Sequence, residues 1–140
     1  MILLDTNVVS ELMRAAPSPQ VLNWLNIQPA QETWLCSVVA GELLFGLARL
    51  PDGFGKQQLT QALSHMLSDD FQGRVLPYDL EAAVILADLV AQRERLGQPI
   101  ALADAQIAAI ALAHQAVLAT RNTKDFEGLG LKLLNPWLVI

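Results

Sequence analysis

Residues 1–9, Met1-Ile2-Leu3-Leu4-Asp5-Thr6-Asn7-Val8-Val9, set a carboxylate directly behind four apolar side chains. An uninterrupted apolar run of this length reads as a strand buried on both faces, as in a parallel sheet. Thr6 to Arg14 then reads as a short helix that Thr6 or Asn7 can cap. Asp5, at the junction, must cap something, pair with a cation or hold a metal, because a buried carboxylate left alone is costly.

Outward from that junction the pattern repeats. Ser18 to Ile27 reads as a helix with Pro19 near its start, and Thr33 to Val39 contains a strand passing into a helix that runs to about Leu50, with Ser37 as N-cap. Gln57 to Leu67 is helical, Arg74 to Asp79 a short strand, and Glu81 to Leu96 an amphipathic helix with Asp88, Gln92, Arg93 and Arg95 on its polar face. Leu102 to His114 is apolar nearly all round, which predicts a buried helix; Ala116 to Arg121 is a strand, and Lys132 to Trp137 an edge strand stopped by Pro136. Breakers fall between elements, at residues 15–19, 51–55, 96–99 and 128–130, and no repeat appears. Strands alternating with helices predict an α/β fold with a mostly parallel central sheet. Ligand crevices in such sheets lie beyond the carboxyl ends of the strands, where Asp5 sits.

The 140 residues suit one domain, and 53% hydrophobic residues with a mean hydropathy of +0.36 argue for a well-buried core and an oligomer interface. A net charge of -5 offers no general basic patch, so a polyanion would need a local groove or bound cations. One cysteine, Cys36, excludes an intrachain disulfide and a Cys-rich zinc site, which suits a reducing compartment, the cytoplasm. The N-terminus lacks the features of a signal peptide, and the apolar stretch 105–120 is shorter than a bilayer span of ~20 residues, so no membrane segment is expected.

Two further acids interrupt apolar segments. Glu42 lies in VVAGELLFGL, between Val38 and Gly46 at helical spacing, and is expected to face a polar pocket rather than water. Asp104 is the only charge between Arg95 and Arg121. Each has a structural explanation: a cap for Asp5, a helix-dipole contact for Asp104, an arginine pair for Glu42. Three such acids would each need a separate partner, whereas one Mg²⁺ or Mn²⁺ takes hard oxygen ligands and turns their repulsion into attraction. A cation held this way can orient a phosphodiester and activate water, which points to metal-dependent phosphodiester hydrolysis.

Together MILLDTNVVSEL (1–12), SVVAGELLFGL (37–47), IALADAQIAAIALAH (100–114) and LATRNTKDF (118–126) resemble the PIN-domain ribonucleases, and the closing LLNPW (133–137) resembles the VapC toxins, particularly their FitB-like branch. The resemblance spans almost the whole chain in order. It implies a single PIN-like domain over residues 1–140, with a three-layer α/β/α fold, acting as a Mg²⁺-dependent endoribonuclease (Mn²⁺ as substitute). It also implies a toxin of a type II toxin–antitoxin pair, restrained by a small VapB-like antitoxin that alone contacts operator DNA. The physical reading adds a homodimer, because the apolar surplus suits a C2 interface.

By position, Asp5 and Asp104 match the family's metal-binding aspartates and Glu42 its motif glutamate. The chain departs at the fourth position: many PIN domains carry an acid two residues after the strand-end Thr, where this sequence has Asn122, with Asp125 three residues on. Thr6, Thr120, Arg121 and Asn122 are the candidates for substrate contact, with Arg121 offsetting phosphate charge. A haloacid-dehalogenase-type phosphotransferase would need a second Asp at position 7, where Asn7 stands, and a receiver domain would need an N-terminal acid pair. The rival from a different class is a catalytically inactive PIN-like binding module or DNA-binding complex subunit.

Overall fold

A computed structural model describes residues 1–139. Five short strands, β1 (Ile2–Leu4), β2 (Thr33–Cys36), β3 (Val75–Leu76), β4 (Val117–Ala119) and β5 (Lys132–Leu134), form a sheet in the order β3-β2-β1-β4-β5, and every pairing is parallel. Six α-helices connect them: α1 (Thr6–Leu12), α2 (Pro19–Asn26), α3 (Ser37–Ala48), α4 (Phe54–His65), α5 (Leu80–Arg95) and α6 (Leu102–Ala113). The chain steps outward from β1 to β3, then returns across the sheet to β4 and β5. Parallel crossovers are right-handed, so this reversal places the returning helices on the face opposite the outgoing ones and gives an α/β/α sandwich.

The apolar run at the N-terminus forms the middle strand. Leu3 pairs in register with Trp34 on one side and Leu118 on the other, and Leu3, Leu4 and Leu118 are fully buried. Helix α6 is buried from Ala105 through Ala111 apart from Gln106, as its nearly all-round apolar sequence requires. Chain order reverses at the β1/β4 boundary, the topological switch point at which a crevice opens beyond the strand ends. Asp5 follows β1 there and Thr120 follows β4.

Several local expectations are corrected. Asp5 itself caps α1, its side chain accepting from Thr6 N, so neither Thr6 nor Asn7 is the cap. Cys36 is the N-cap position of α3, and the Ser37 hydroxyl instead accepts from Tyr78 N across the sheet edge. Helix α4 starts earlier, at Phe54, and ends in a π-turn, Met66–Asp70. Arg93, assigned by sequence to the solvated face of α5, is buried, on one stripe with Ala82 and Leu89.

Candidate active site

Asp5 is 5% exposed and held by three donors. Its Oδ1 accepts from Thr6 N at 2.8 Å, and its Oδ2 accepts from the Thr120 hydroxyl at 2.7 Å and from Asn7 Nδ2 at 3.3 Å. Asp5 N donates to Ala119 O at 2.9 Å, extending the β1/β4 ladder to the carboxylate itself. Burial pushes the Asp5 pKa up, the hydrogen bonds from Thr120 and Thr6 oppose that, and the charges of Glu42 and Asp125 add to the rise; the net shift is upward.

Thr6 joins two of the acids. Its backbone N–H holds Asp5, and its hydroxyl donates to Glu42 Oε1 at 2.7 Å. Glu42 is exposed, contrary to the expectation that its helix would shield it from water, because the helix turns Leu44 (49% exposed) and Phe45 (64%) outward beside it. Glu42 and Thr6 line a groove of ≈ 530 Å³ whose walls include Met13, Leu43, Leu47 and Leu59.

Asp104 occupies the first turn of α6 and has no hydrogen-bond partner among the described residues. Its pKa is raised from 3.8 to about 6, first by burial and then by the charges of Asp5, Asp125 and Glu42. The other three sequence-identified acids therefore act on this one carboxyl group. Asp125 lies exposed in the 3-10 turn Thr123–Phe126 that follows β4.

The loop after Thr120 is tied to the same network. Thr120 is fully buried, and its hydroxyl also accepts from Asn7 Nδ2 (3.2 Å) and Asn122 N (3.1 Å). Arg121 N donates to Asn7 Oδ1 at 3.1 Å, and the Arg121 guanidinium lies 4.8 Å from the centroid of the Trp137 ring. Asn7 thus links the two strand ends, a role the sequence signals only through its place after Asp5. Arg121 and Asn122 are exposed.

Among the described residues no three His, Cys, Asp or Glu side chains converge closely enough to enclose an ion by themselves. The donor set is nevertheless all hard oxygen, carries mutual repulsion that a cation would relieve, and suits Mg²⁺, which usually takes one or two carboxylates and keeps several waters. Other chemistries fit less well. Burial pushes the Cys36 thiol up to about 11, so it stays protonated. His65, the last residue of α4, is exposed and pairs with Asp69 of the π-turn at 3.0 Å, and His114 stands at the far end of α6 from Asp104, on the order of 15 Å along the axis.

The PIN-domain family matches residues 2–130. The VapC ribonuclease Y4jK of Sinorhizobium fredii is 44% identical over 137 residues, covering 98% of both chains. Toxin FitB of Neisseria gonorrhoeae is 38% identical, covering 98% of this chain and 99% of its own. In a solved structure of FitAB bound to an IR36 DNA fragment, one chain matches with a TM-score of 0.93 and 36% identity, over 100% of this chain and 98% of that one. The family match over residues 2–130 and the full-length identity to these relatives place it: the chain belongs to the PIN-domain family.

Proposed function

We propose that this chain is the endoribonuclease toxin of a type II toxin–antitoxin pair, hydrolysing RNA phosphodiesters in the cytoplasm with Mg²⁺, or Mn²⁺ in its place. The observation that carries the proposal is the position of the half-buried Asp104 carboxyl within the charge field of Asp5, Asp125 and Glu42, which together with burial raise its pKa to about 6. Asp5 and Asp104 are the direct metal ligands in this reading, and Glu42 joins them directly or through water. A bound divalent cation supplies neutralisation of phosphate charge and acidification of water.

The remaining work belongs to the protein. Thr120 and the Thr6 backbone fix the Asp5 carboxylate, the Thr6 hydroxyl fixes Glu42, and Asp104 is ionised at neutral pH and free to bind. Thr120, expected along the substrate path, has its hydroxyl fully used, so it acts by bracing Asp5. Exposed Arg121 and Asn122, with Thr6, are left to receive the phosphate backbone. Arg121 suits that role because stacking on Trp137 engages the guanidinium face and leaves the in-plane N–H groups available. Asp125 serves in place of the acid absent at Asn122.

The relatives are named a toxin and a ribonuclease, and FitAB is seen on DNA. By extension the partner of this chain is a small VapB-like antitoxin that carries the complex to operator DNA. The apolar groove beside Glu42 suits an amphipathic antitoxin helix, and the acids suit an inserted Arg or Lys. Exposed apolar residues elsewhere suit pairing of two toxin chains.

The test is cleavage of single-stranded or looped RNA by the purified chain. Activity is expected with Mg²⁺ or Mn²⁺ and not in EDTA, and the products should carry 5′-phosphate and 3′-hydroxyl ends, because no histidine stands at the site to activate the 2′-hydroxyl. Undiminished cleavage in EDTA, or cyclic-phosphate ends, would contradict the reading.

A further inference from the structure

Arg93, in the last turn of α5, is 7% exposed yet forms no ion pair with a carboxylate among the described residues. Its guanidinium is spent on backbone. Nη2 donates to Asp125 O at 3.0 Å and to Glu127 O at 2.9 Å, and Nη1 donates to Gln98 O at 3.4 Å. A buried charge without a counterion costs several kcal/mol, on the order of what an apolar side chain of the same size would avoid. Packing alone does not account for it.

The three carbonyls belong to two segments. Asp125 and Glu127 bracket the end of the 3-10 turn that presents the Asp125 carboxylate, and Gln98 lies in the link from α5 to α6, the helix that opens with Asp104. Behind the turn lies a cavity of ≈ 300 Å³ bordered by Arg93, Gln98, Ile100, Lys124, Asp125 and Glu127. Phe126 is the side chain of this turn that enters the core, so on the cavity side hydrogen bonds rather than packing fix the backbone. Arg93 supplies them from one planar fork, a geometry Lys cannot reproduce with donors on a single atom.

We propose that Arg93 is a positioning residue for the acid site: by gripping the backbone at Asp125 and Glu127 and the link into α6, it fixes Asp125 relative to Asp104 and thereby sets the affinity for a divalent cation. This rests on the metal-dependent ribonuclease reading. Asp125 then reaches the site through its hold on Arg93 rather than through sequence spacing, which explains how an acid three residues beyond Asn122 can act in the position of the missing one.

The test is a double-mutant cycle in the purified full chain, read by Mn²⁺ binding (calorimetry or electron paramagnetic resonance) and by hydrogen exchange. Arg93→Met should weaken Mn²⁺ binding by about 10-fold, the range for residues that orient ligands. In an Asp125→Asn background the same substitution should change affinity less than about 2-fold, since the carboxylate it positions is gone. Amides of residues 123–127 and 98–104 should exchange faster in both backgrounds. Arg93→Lys, which keeps the charge and loses the fork, should show the same pattern and decides the matter if Arg93→Met does not fold. An equal loss of affinity in both backgrounds, or unchanged exchange in residues 123–127, would make Arg93 a structural residue only and overturn the proposal. Wild-type protein that binds no Mn²⁺ would bring down the underlying reading, and this one with it.

Discussion

Asp104→Asn will abolish RNA cleavage and at the same time raise the melting temperature of the metal-free protein. The loss of activity should be at least ~100-fold, since residues that merely orient metal ligands already cost 10–100-fold in affinity or activity. The gain in stability follows from linkage. The folded-state pKa of Asp104, about 6, lies above the ordinary 3.8, so the folded state holds this proton more tightly than the unfolded chain does. The resulting stabilisation is fully present below pH 3.8, fades as pH rises through 6, and is absent at neutral pH, where the ionised carboxylate faces Asp5, Asp125 and Glu42. Asparagine removes that penalty. Full conversion of the shift gives about 3 kcal/mol, and screening at a partly exposed side chain lowers it to about 1 kcal/mol, or about 3 °C. Thermal melts without metal should separate variant from wild type at pH 7.5, narrow the gap as pH falls through 6 and bring the two together only below pH 3.8, while wild-type metal affinity and cleavage should fall as pH drops through 6. Asp5→Asn should lose as much activity without the thermal gain: its Nδ2 would face the Thr120 hydroxyl or the Thr6 N–H, setting donor against donor.

Expression of the chain alone should arrest bacterial growth, and expression of Asp5→Asn should not. Co-expression with the product of a neighbouring small open reading frame, as the proposed antitoxin, should restore growth and yield a co-purifying complex. The groove beside Glu42 gives this a structural handle: replacing Leu50, which is 38% exposed and part of the groove wall, with Asp should weaken the complex while leaving the core and the four acids in place. Colony counts and pull-downs read both. Harmless expression of the folded chain, with no partner recovered, would leave a free-standing nuclease or a binding module as the better account.

The parts of this fold legible in the sequence are those fixed by local pattern. Ile2–Leu4 and Leu102–Ala113 are so uniformly apolar that only a central strand and a buried helix accommodate them, and Asp5 and Asp104 stand out against that background. Glu42 misleads because its helix looks buried from sequence: Leu44 and Phe45 face outward, and an exposed apolar residue is indistinguishable in sequence from one in the core. Arg93 is a different failure. Its type argues for solvent, yet its spacing from Ala82 and Leu89 puts it on the buried stripe of α5, and periodicity was the better guide. The bonds from Asn7 to Thr120 and Arg121 join residues more than a hundred positions apart and depend on β1 lying beside β4, a pairing that no local signal specifies.

The most direct measurement is an anomalous difference map from crystals of the protein soaked in Mn²⁺. A peak is expected beyond the end of β1, where the Asp5 and Asp104 carboxylates would hold the ion, with Glu42 or Asp125 beside it. No peak there at saturating Mn²⁺, in protein from the same preparation that cleaves RNA, would contradict the metal-dependent reading.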